Sequence, residues 1–302
     1  MSRRGFLAVS SLAIGAACAG DLRLRAQEAP ATKFQDLRGG AGIFTGRGGT
    51  IGWVITRDNT VVVDSQYPDT AKACLAGLRS RAAHPIDFLL NTHHHVDHTA
   101  GNPIFRPAVT QIVAQRGEPA LQRRYAVQTS TTATQVYPDT LFDTDWKMVL
   151  TSETVLAHYY GPGHTGADIV VTFQNAGVVH MGDLVWNRWH PFVDRPYGAS
   201  IVNWVTTLGQ VTARYPADTI YIFGHAKPGA SVTGTQADVL HFRDYFTAVL
   251  DYVRRGMERG QSKDEITKLD VLPGFEDFEA PSKTLTLGAV LGVAYDELNA
   301  KA

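Results

Sequence analysis

Apolar residues in this chain fall mostly into short runs separated by glycine, proline and polar residues. The runs at 42–45, 51–56 and 60–64 predict strands, and the turn-forming pair Asp58-Asn59 predicts that the last two are adjacent. Residues 68–83 instead place Ala71, Leu75 and Leu78 at helical spacing. The uninterrupted run 86–90 then predicts a short buried strand.

The rest of the chain continues this alternation of strand and helix. Strands are predicted over 111–114, 148–150, 155–159, 168–173, 177–181 and 219–223, and helices over 118–128, 200–215, 237–255 and 282–299. Such an order is typical of an α/β protein. With no internal repeat or interdomain linker in view, we predict a single domain over 42–302, preceded by a flexible lead-in over 27–41.

Two stretches show neither the helical nor the strand periodicity of apolar residues. Residues 129–145 are polar and rich in threonine, and residues 187–199 contain Trp189, His190 and Arg195. Long irregular segments in a compact domain are often active-site loops, although the first is equally compatible with a surface insertion. We predict Trp189, His190 and Arg195 as candidate substrate contacts, because they closely follow a candidate ligand.

The N-terminus has the features of an export signal. Arg3 and Arg4 precede an apolar stretch over 7–19, which is typical of a twin-arginine signal. The alternative is a cytoplasmic N-terminus with a chance arginine pair. We predict that residues 1–26 are removed, and that the mature protein is periplasmic or secreted with no membrane span.

Composition narrows the choice of partners. The chain has 302 residues, 44% of them hydrophobic, and a formal net charge of −1, so no basic surface indicates nucleic-acid binding. The oligomeric state stays open. Of two cysteines, Cys18 would leave with the signal, so Cys74 has no disulfide partner and is predicted to be a small buried hydrophobe.

The strongest chemical signal is the histidine-rich segment that follows the strand 86–90. His93 and His95, two residues apart on extended chain, point the same way and can share a metal. Asp97 and His98 fall where the chain turns and can face a second metal. Imidazole and carboxylate suit Zn²⁺, and the same donors also accept iron or manganese. A surface histidine tract, or chance metal affinity, fits the strand-end position less well.

One segment cannot fill two metal sites, and three further residues occur in suitable settings. His164 lies in a Gly/Pro loop before a strand, whereas Asp183 and His225 each follow an apolar run and a glycine. Glycine lets the backbone bend and aim such a side chain inward. His94 alternates away from the pair, so it is predicted to lie outside the metal site, and structural or exposed roles are predicted for His84, His158, His180 and His241.

Residues 92–102 resemble the signature of the metallo-β-lactamase superfamily. Asp64, His164, Asp183 and His225 match its other motifs in order, so the resemblance spans about residues 42–227. It implies an αββα sandwich, with two mixed sheets flanked by helices and a dinuclear zinc site at one edge.

The resemblance also implies a role for each matched residue. His93, His95 and His164 would bind one metal, and Asp97, His98 and His225 the other. Asp183 would bridge the two metals, and Asp64 would hold the histidine-rich loop without touching metal.

Two metals ~3.5–4 Å apart can hold a hydroxide at neutral pH, because they lower the pKa of bound water from ~15.7 to about 7. That hydroxide would attack a small-molecule substrate, with Asp97 as the catalytic residue that orients the nucleophile and passes on its proton. The sequence contains no Gly-x-Ser-x-Gly nucleophile motif. We therefore predict an exported zinc hydrolase of a small ester, thioester, lactone or lactam.

Three alternatives remain. A class B β-lactamase would suit export, but some of those enzymes carry cysteine where this chain has Asp183. Relatives that resemble a mononuclear iron persulfide dioxygenase leave the second-site histidines unused, whereas His98 and His225 are both present here. A non-catalytic periplasmic metal-binding protein would usually lack a ligand, and this chain retains all seven.

Overall fold

The strands form two large sheets, and their apolar side chains alternate between the two faces of each sheet. A computed structural model describes residues 31–300, which pack as one unit. The export signal predicted over 1–26 lies outside the described residues.

The first sheet has seven strands in sequential order. They are β1 (Lys33–Asp36), β2 (Ala41–Thr45), β3 (Ile51–Ile55), β4 (Thr60–Val63), β5 (Ile86–Leu90), β6 (Val109–Gln115) and β7 (Thr140–Phe142). The pairs from β1 to β4 are antiparallel, and those from β4 to β7 are parallel. The sheet is therefore mixed, with the carboxyl ends of β4, β5 and β6 at one edge.

The second sheet has six strands and a crossover. Its members are β8 (Asp145–Val149), β9 (Thr154–Tyr159), β10 (Ile169–Phe173), β11 (Val178–His180), β13 (Ile220–Ile222) and β15 (Thr233–Gly234). Only β11 and β13 are parallel. A short parallel pair, β12 (Trp186–Asn187) and β14 (His225–Ala226), lies beside the site.

Helices cover the outer faces of both sheets. They are α1 (Pro68–Arg81), α2 (Val96–Thr99), α3 (Asn102–Phe105), α4 (Glu118–Gln128), α5 (Ile201–Arg214), α6 (Gln236–Glu258), α7 (Lys263–Ile266) and α8 (Leu287–Asn299). Among residues 31–300, no helix is long and apolar enough to cross a bilayer.

The burial pattern confirms the predicted αββα sandwich. Val61 and Val63 of β4 join the core between the sheets, whereas Val62 packs with α1 on the outer face. On β10, Val171 faces the first sheet and Val170 faces the helices α5, α6 and α8. The order of layers is therefore helix, sheet, sheet, helix. Cys74 of α1 is buried in the outer layer, as predicted.

Two segments differ from the sequence-based prediction. Within the lead-in predicted over 27–41, residues 33–36 form the edge strand β1, paired with β2 and carrying Phe34 against Phe44. One apolar residue in a polar stretch is too weak a signal to predict this strand.

The closing helix predicted over 282–299 begins only at Leu287. The Ser282 hydroxyl accepts hydrogen bonds from the backbone N–H groups of Thr284 and Leu285, and Thr286 caps the helix by accepting from Ala289 N. Local hydroxyl–backbone bonds compete with helix formation in this way. Residues 282–286 are consequently free to form part of a cleft, described below.

Candidate metal centre

Asp64, at the end of β4, organises the histidine-rich loop. One carboxylate oxygen accepts a hydrogen bond from Thr92 N (2.8 Å), and the other accepts from Thr92 Oγ1 (2.8 Å) and contacts His98 Nδ1 (2.7 Å). Asp64 itself is fully buried and has a left-handed backbone, with φ of 67°. Such strained backbone persists only where its surroundings hold it, and it is concentrated at functional sites. Asp64 thus contacts the histidine-rich loop at Thr92 and His98, and its role at a metal site stays a prediction.

The first potential ligand group contains His93, His95 and His164. His93 Nε2 lies 3.1 Å from His95 Nδ1, and His164 Nε2 lies 2.9 Å from that same atom. All three rings are buried, and they come from the loop after β5 and the loop before β10. Because the three nitrogens converge on one point, a cation placed among them would satisfy all three.

The second group contains Asp97, His98 and His225. Asp97 and His98 lie on the short helix α2, directly after His95, and the His98 ring is 4.2 Å from the His93 ring. Asp97 Oδ2 lies 3.1 Å from His225 Nε2 and 3.7 Å from His98 Nε2. Each group of potential ligand atoms fits within a few ångströms, as a bound ion requires.

Asp183 lies between the two groups. One of its carboxylate oxygens is 3.3 Å from His164 Nε2 and 3.3 Å from His225 Nε2, and the other is 3.0 Å from His98 Nε2. It sits in a single 3₁₀ turn (Gly182–Leu184) directly after β11, next to the end of β13. This one carboxylate therefore contacts residues of both groups.

Glycines make room for this arrangement. A Cβ atom on Gly224 would lie 2.0 Å from Asp183 Oδ1, and one on Gly49 would lie 2.1 Å from the His98 ring. The Gly224 carbonyl oxygen accepts hydrogen bonds from Thr50 N and Thr50 Oγ1, which ties the loop after β13 to the start of β3. The backbone thus approaches the ligand side chains more closely than any residue with a side chain could.

The ligand rings are oriented by partners on their far nitrogens. His93 Nδ1 lies 3.0 Å from Thr92 Oγ1, His164 Nδ1 lies 2.8 Å from the Phe192 carbonyl oxygen, and His95 Nε2 lies 2.8 Å from Asp194 Oδ2. Partners of this kind fix the tautomer and the orientation of a ligating imidazole. Asp194 was missed in the sequence because nothing in its local setting, Val193-Asp194-Arg195, distinguishes it from an ordinary loop aspartate.

The electrostatics divide the histidines into two kinds. Burial lowers the pKa of His93 well below its usual range and that of His164 to about 3, so both rings are uncharged at neutral pH. Burial acts in the same direction on His225 and His98, but the Asp183 and Asp97 carboxylates outweigh it. They raise the pKa of His225 to about 9 and that of His98 well above its usual value.

The donor set fits metal ions. Within the described residues, His98 Nε2, His225 Nε2 and Asp183 Oδ1 are buried with no well-formed hydrogen bond. Buried polar atoms are rarely left in this state, and bound metal is a common reason. With Asp183 counted in the first group, both groups combine imidazole with carboxylate, the donors that zinc and related ions prefer. The structure therefore brings all seven predicted ligands together, and their individual roles stay predictions.

Beside the two groups opens a cleft of about 420 Å³. Its floor includes His95, Asp97 and Asp183, and its walls come from α4, from the segment 186–197 and from residues 284–285. Four aromatic side chains line it: Tyr125, Trp186, Phe192 and Tyr197. Phe192 is 38% exposed, which is unusual for a large apolar side chain and places it at the mouth.

The three candidate substrate contacts do not line this cleft. His190 is buried, with its Nδ1 2.9 Å from Tyr245 Oη and its ring stacked on Tyr245, while Trp189 packs against the same core as a partly buried residue. Arg195 donates to the Ala199 carbonyl oxygen. The segment 187–199 does reach the site, but through Phe192, Asp194 and Tyr197 instead.

The remaining histidines are distributed as follows. His94 is buried against Tyr197, with ring centroids 4.8 Å apart; its ring also lies 4.5 Å from that of His95, and its Nε2 lies 3.7 Å from Asp194 Oδ2. His180 lies 3.0 Å from the Thr50 carbonyl oxygen and accepts from Gly182 N, so it supports the turn that carries Asp183. His84, His158 and His241 contact Thr60, Asp145 and Asp277, respectively.

Sequence comparison assigns the chain to a protein family. The sequence profile of the metallo-β-lactamase superfamily matches residues 44–225, which is more than half of the chain. The chain belongs to the metallo-β-lactamase superfamily. Four of the five motifs, from Asp64 to Asp183, lie well inside the match, and His225 is its last residue. Members of this superfamily are mostly metal-dependent hydrolases.

Solved structures agree with that membership. A metallo-β-lactamase from Pontibacter korlensis matches with a TM-score of 0.60 and 19% identity, over 72% of this chain and 99% of that one. A double mutant of the sec-alkyl sulfatase PisA1 matches with a TM-score of 0.69 and 14% identity, over 88% of this chain and 50% of that one. At such identities the likeness concerns the fold alone. No match was found among curated proteins.

Proposed function

We propose that this protein is a two-metal hydrolase that cleaves a small ester, thioester, lactone or lactam. The observation that carries the proposal is the position of Asp183, whose carboxylate contacts His164 of the first ligand group and His98 and His225 of the second. A carboxylate in that position can hold two ions side by side. Bound metals would supply an activated water and polarise the substrate oxygen.

The side chains of the site provide the rest of the chemistry. Burial raises the pKa of Asp97, but His98 and His225 outweigh it and hold that pKa below its usual range, so this carboxylate is ionised at neutral pH and can orient a nucleophile by accepting a hydrogen bond from it. Asp97 is 22% exposed and lies on the cleft floor, within reach of a bound substrate. The aromatic walls would hold the substrate and exclude water from the reacting bond.

Metal analysis combined with a substrate panel tests this function. We expect two zinc ions per chain and turnover of at least one ester, thioester, lactone or lactam, lost with a chelator and restored by Zn²⁺. His98→Ala should lose one ion and most turnover. The matched control His158→Ala should lose neither, because His158 pairs with Asp145 away from the ligand groups.

Other results would favour the alternatives. One iron ion per chain would indicate an enzyme of the persulfide dioxygenase kind. Two bound metals with no turnover of any substrate, phosphodiesters and secondary alkyl sulfates included, would indicate a non-catalytic metal-binding protein. Nitrocefin hydrolysis exceeding that of every ester would favour a class B β-lactamase.

We also propose that the protein is exported through the twin-arginine pathway. The support is the arginine pair Arg3-Arg4 ahead of an apolar stretch. Replacing both arginines by lysine should retain the protein in the cytoplasmic fraction. An unchanged distribution between cell fractions would count against export by this route.

A further inference from the structure

The cleft beside the metal centre has no basic side chain in its walls. Among residues 31–300, those that line it include six apolar or aromatic side chains besides His95, the amide of Gln128, the hydroxyl of Thr284 and the carboxylates of Asp97, Asp183 and Asp194. Neither lysine nor arginine is among them. An anionic group held away from the metals would therefore meet mainly apolar and aromatic surface.

The basic residues that adjoin these walls are held by other partners. Arg124 donates to the Pro196 carbonyl oxygen and lies over the Tyr197 ring, and Arg195 donates to the Ala199 carbonyl oxygen. Lys227, which follows the ligand His225 by two residues, is 2.8 Å from Glu279 and 3.1 Å from the Asp277 carbonyl oxygen. Arg188 pairs with Asp277 at 2.7 Å.

Three polar groups of the walls have partners within the protein. Asp194 contacts His95, and Gln128 accepts a hydrogen bond from the Tyr197 hydroxyl. The Thr284 hydroxyl lies 3.1 Å from that of Ser282. Trp186 Nε1 is buried without a hydrogen-bond partner in the described residues, and it is a neutral donor. Most of the surface left for a ligand is that of the aromatic rings, together with Val96 and Leu285.

We infer that the enzyme selects substrates whose non-reacting part is neutral and apolar, and that Phe192 and Leu285 determine this preference. The inference rests on the proposed hydrolase function and names the substrate class of the same site. Moving an unpaired carboxylate from water onto such walls carries a desolvation cost, and no lysine or arginine of the walls offsets it. Ring and aliphatic surface, in contrast, gains from burial.

Two nearly isosteric esters test the inference on the zinc-loaded full chain. 4-Nitrophenyl butyrate ends in a methyl group where 4-nitrophenyl hemisuccinate carries a carboxylate. We expect kcat/KM for the butyrate to exceed that for the hemisuccinate by at least about tenfold, the scale of one unpaired charged hydrogen-bonding group. The Phe192→Ala variant should lose turnover of the butyrate mainly through a higher KM.

A charge placed in the wall provides the converse test. Leu285→Lys should shift the ratio of the two kcat/KM values toward the hemisuccinate by roughly tenfold, because the new ammonium group can pair with the carboxylate of that ester. The matched control Leu285→Met keeps the side chain apolar and of similar volume, so it should leave the ratio unchanged. Equal or faster cleavage of the hemisuccinate by the wild type, or a ratio in Leu285→Lys like that of the wild type, would overturn the inference.

Binding separates this inference from the proposed function. The corresponding 4-nitroanilides, N-(4-nitrophenyl)butanamide and N-(4-nitrophenyl)succinamate, can be titrated calorimetrically into the same variants. Tighter binding of the neutral anilide, reversed in Leu285→Lys, supports the inference even if no ester is hydrolysed. Hydrolysis of both esters at equal rates, with equal binding of both anilides, would leave the hydrolase function standing and refute the preference for neutral substrates.

Discussion

Single residues in this site act through the partners that hold them. Asp64 touches both Thr92 and His98, so one buried carboxylate fixes the direction of the whole histidine-rich loop. Asp183 contacts both ligand groups. Asp194, which lies on a different loop, contacts His95 and orients its ring. The exposed carboxylate of Asp97 is the one best placed to meet substrate.

Asp97→Ala should retain the fold and lose most activity. Asp97 contributes little to the core, and general acid–base groups typically contribute 10²–10⁴-fold in rate. We expect kcat to fall by about that factor, with a circular dichroism spectrum like that of the wild type. Turnover at the wild-type rate in this variant would contradict a catalytic role for Asp97.

Asp194→Asn should weaken metal binding without removing a ligand. Loss of a carboxylate partner behind a ligating histidine typically costs 10–100-fold in metal affinity, and we expect a change of that size for one of the two ions. Competition with a chromophoric chelator measures it. Asp251→Asn, which alters a surface pair with Arg254, serves as the control and should bind zinc as the wild type does.

At the scale of elements, the site is assembled where strands end. The ends of β4 and β5 supply Asp64 and the histidine-rich loop, and those of β11 and β13 supply Asp183 and His225. Hydrogen bonds from Gly224 N to the Gly182 carbonyl oxygen and from Thr50 N to the Gly224 carbonyl oxygen join these loops. Because the backbone packs closely against the ligand side chains, the contact between these loops is sensitive to any added atom.

Gly224→Ala should disrupt the centre although no ligand is changed. The new Cβ would lie 2.0 Å from Asp183 Oδ1, so the carboxylate or the loop must move. We expect loss of at least one metal ion and a lower melting temperature. Gly209→Ala is the matched control: its Cβ would meet no atom within 4 Å, and alanine favours the helix α5 by up to about 1 kcal/mol. Full zinc content in Gly224→Ala would contradict this account.

The sequence predicted the elements whose periodic pattern is strong and missed those formed by pairing alone. The buried strand β5 and the amphipathic helices α5 and α6 follow from local pattern. The two-residue strands β12 and β14 pair across about 40 residues, which no local window contains. The edge strand β1 pairs with the next strand, β2, but its own residues are mostly polar. The seven ligand candidates could be named because each stands beside a turn or a glycine. Asp194, Phe192 and Leu285 could not be named, because their role depends on tertiary contacts that bring their loops to the site.

For the whole molecule, the charges of the site couple metal binding to pH. Without metal, the paired carboxylates raise the pKa of His225 to about 9, above about 6.5 in an unfolded chain. Protonated His225 therefore stabilises the folded state below pH ~6.5, and this contribution is lost as pH rises through about 9. Bound metal requires the same ring to be uncharged, so metal and proton compete for it.

Two measurements follow from this competition. Zinc affinity should rise between pH 6.5 and 9, by up to about tenfold per unit for each proton released. Over the same interval the metal-free protein should become less stable in urea, by roughly 3 kcal/mol from His225 alone, and His225→Gln should reduce both dependences. Zinc affinity that is independent of pH in this window would contradict the coupling.

One wall of the cleft lies outside the stretch that defines the family. Leu285 and Thr284 follow the matched region 44–225 by about 60 residues, and they are brought back when Glu279 hydrogen-bonds through its backbone to Arg188 and His190. The candidate ligands and one wall of the cleft thus lie on separate stretches of the same chain. Inheritance can act on them separately: under the proposed function, an exchanged or remodelled C-terminal segment would alter that wall, and with it the substrate preference, while all seven candidate ligands are retained.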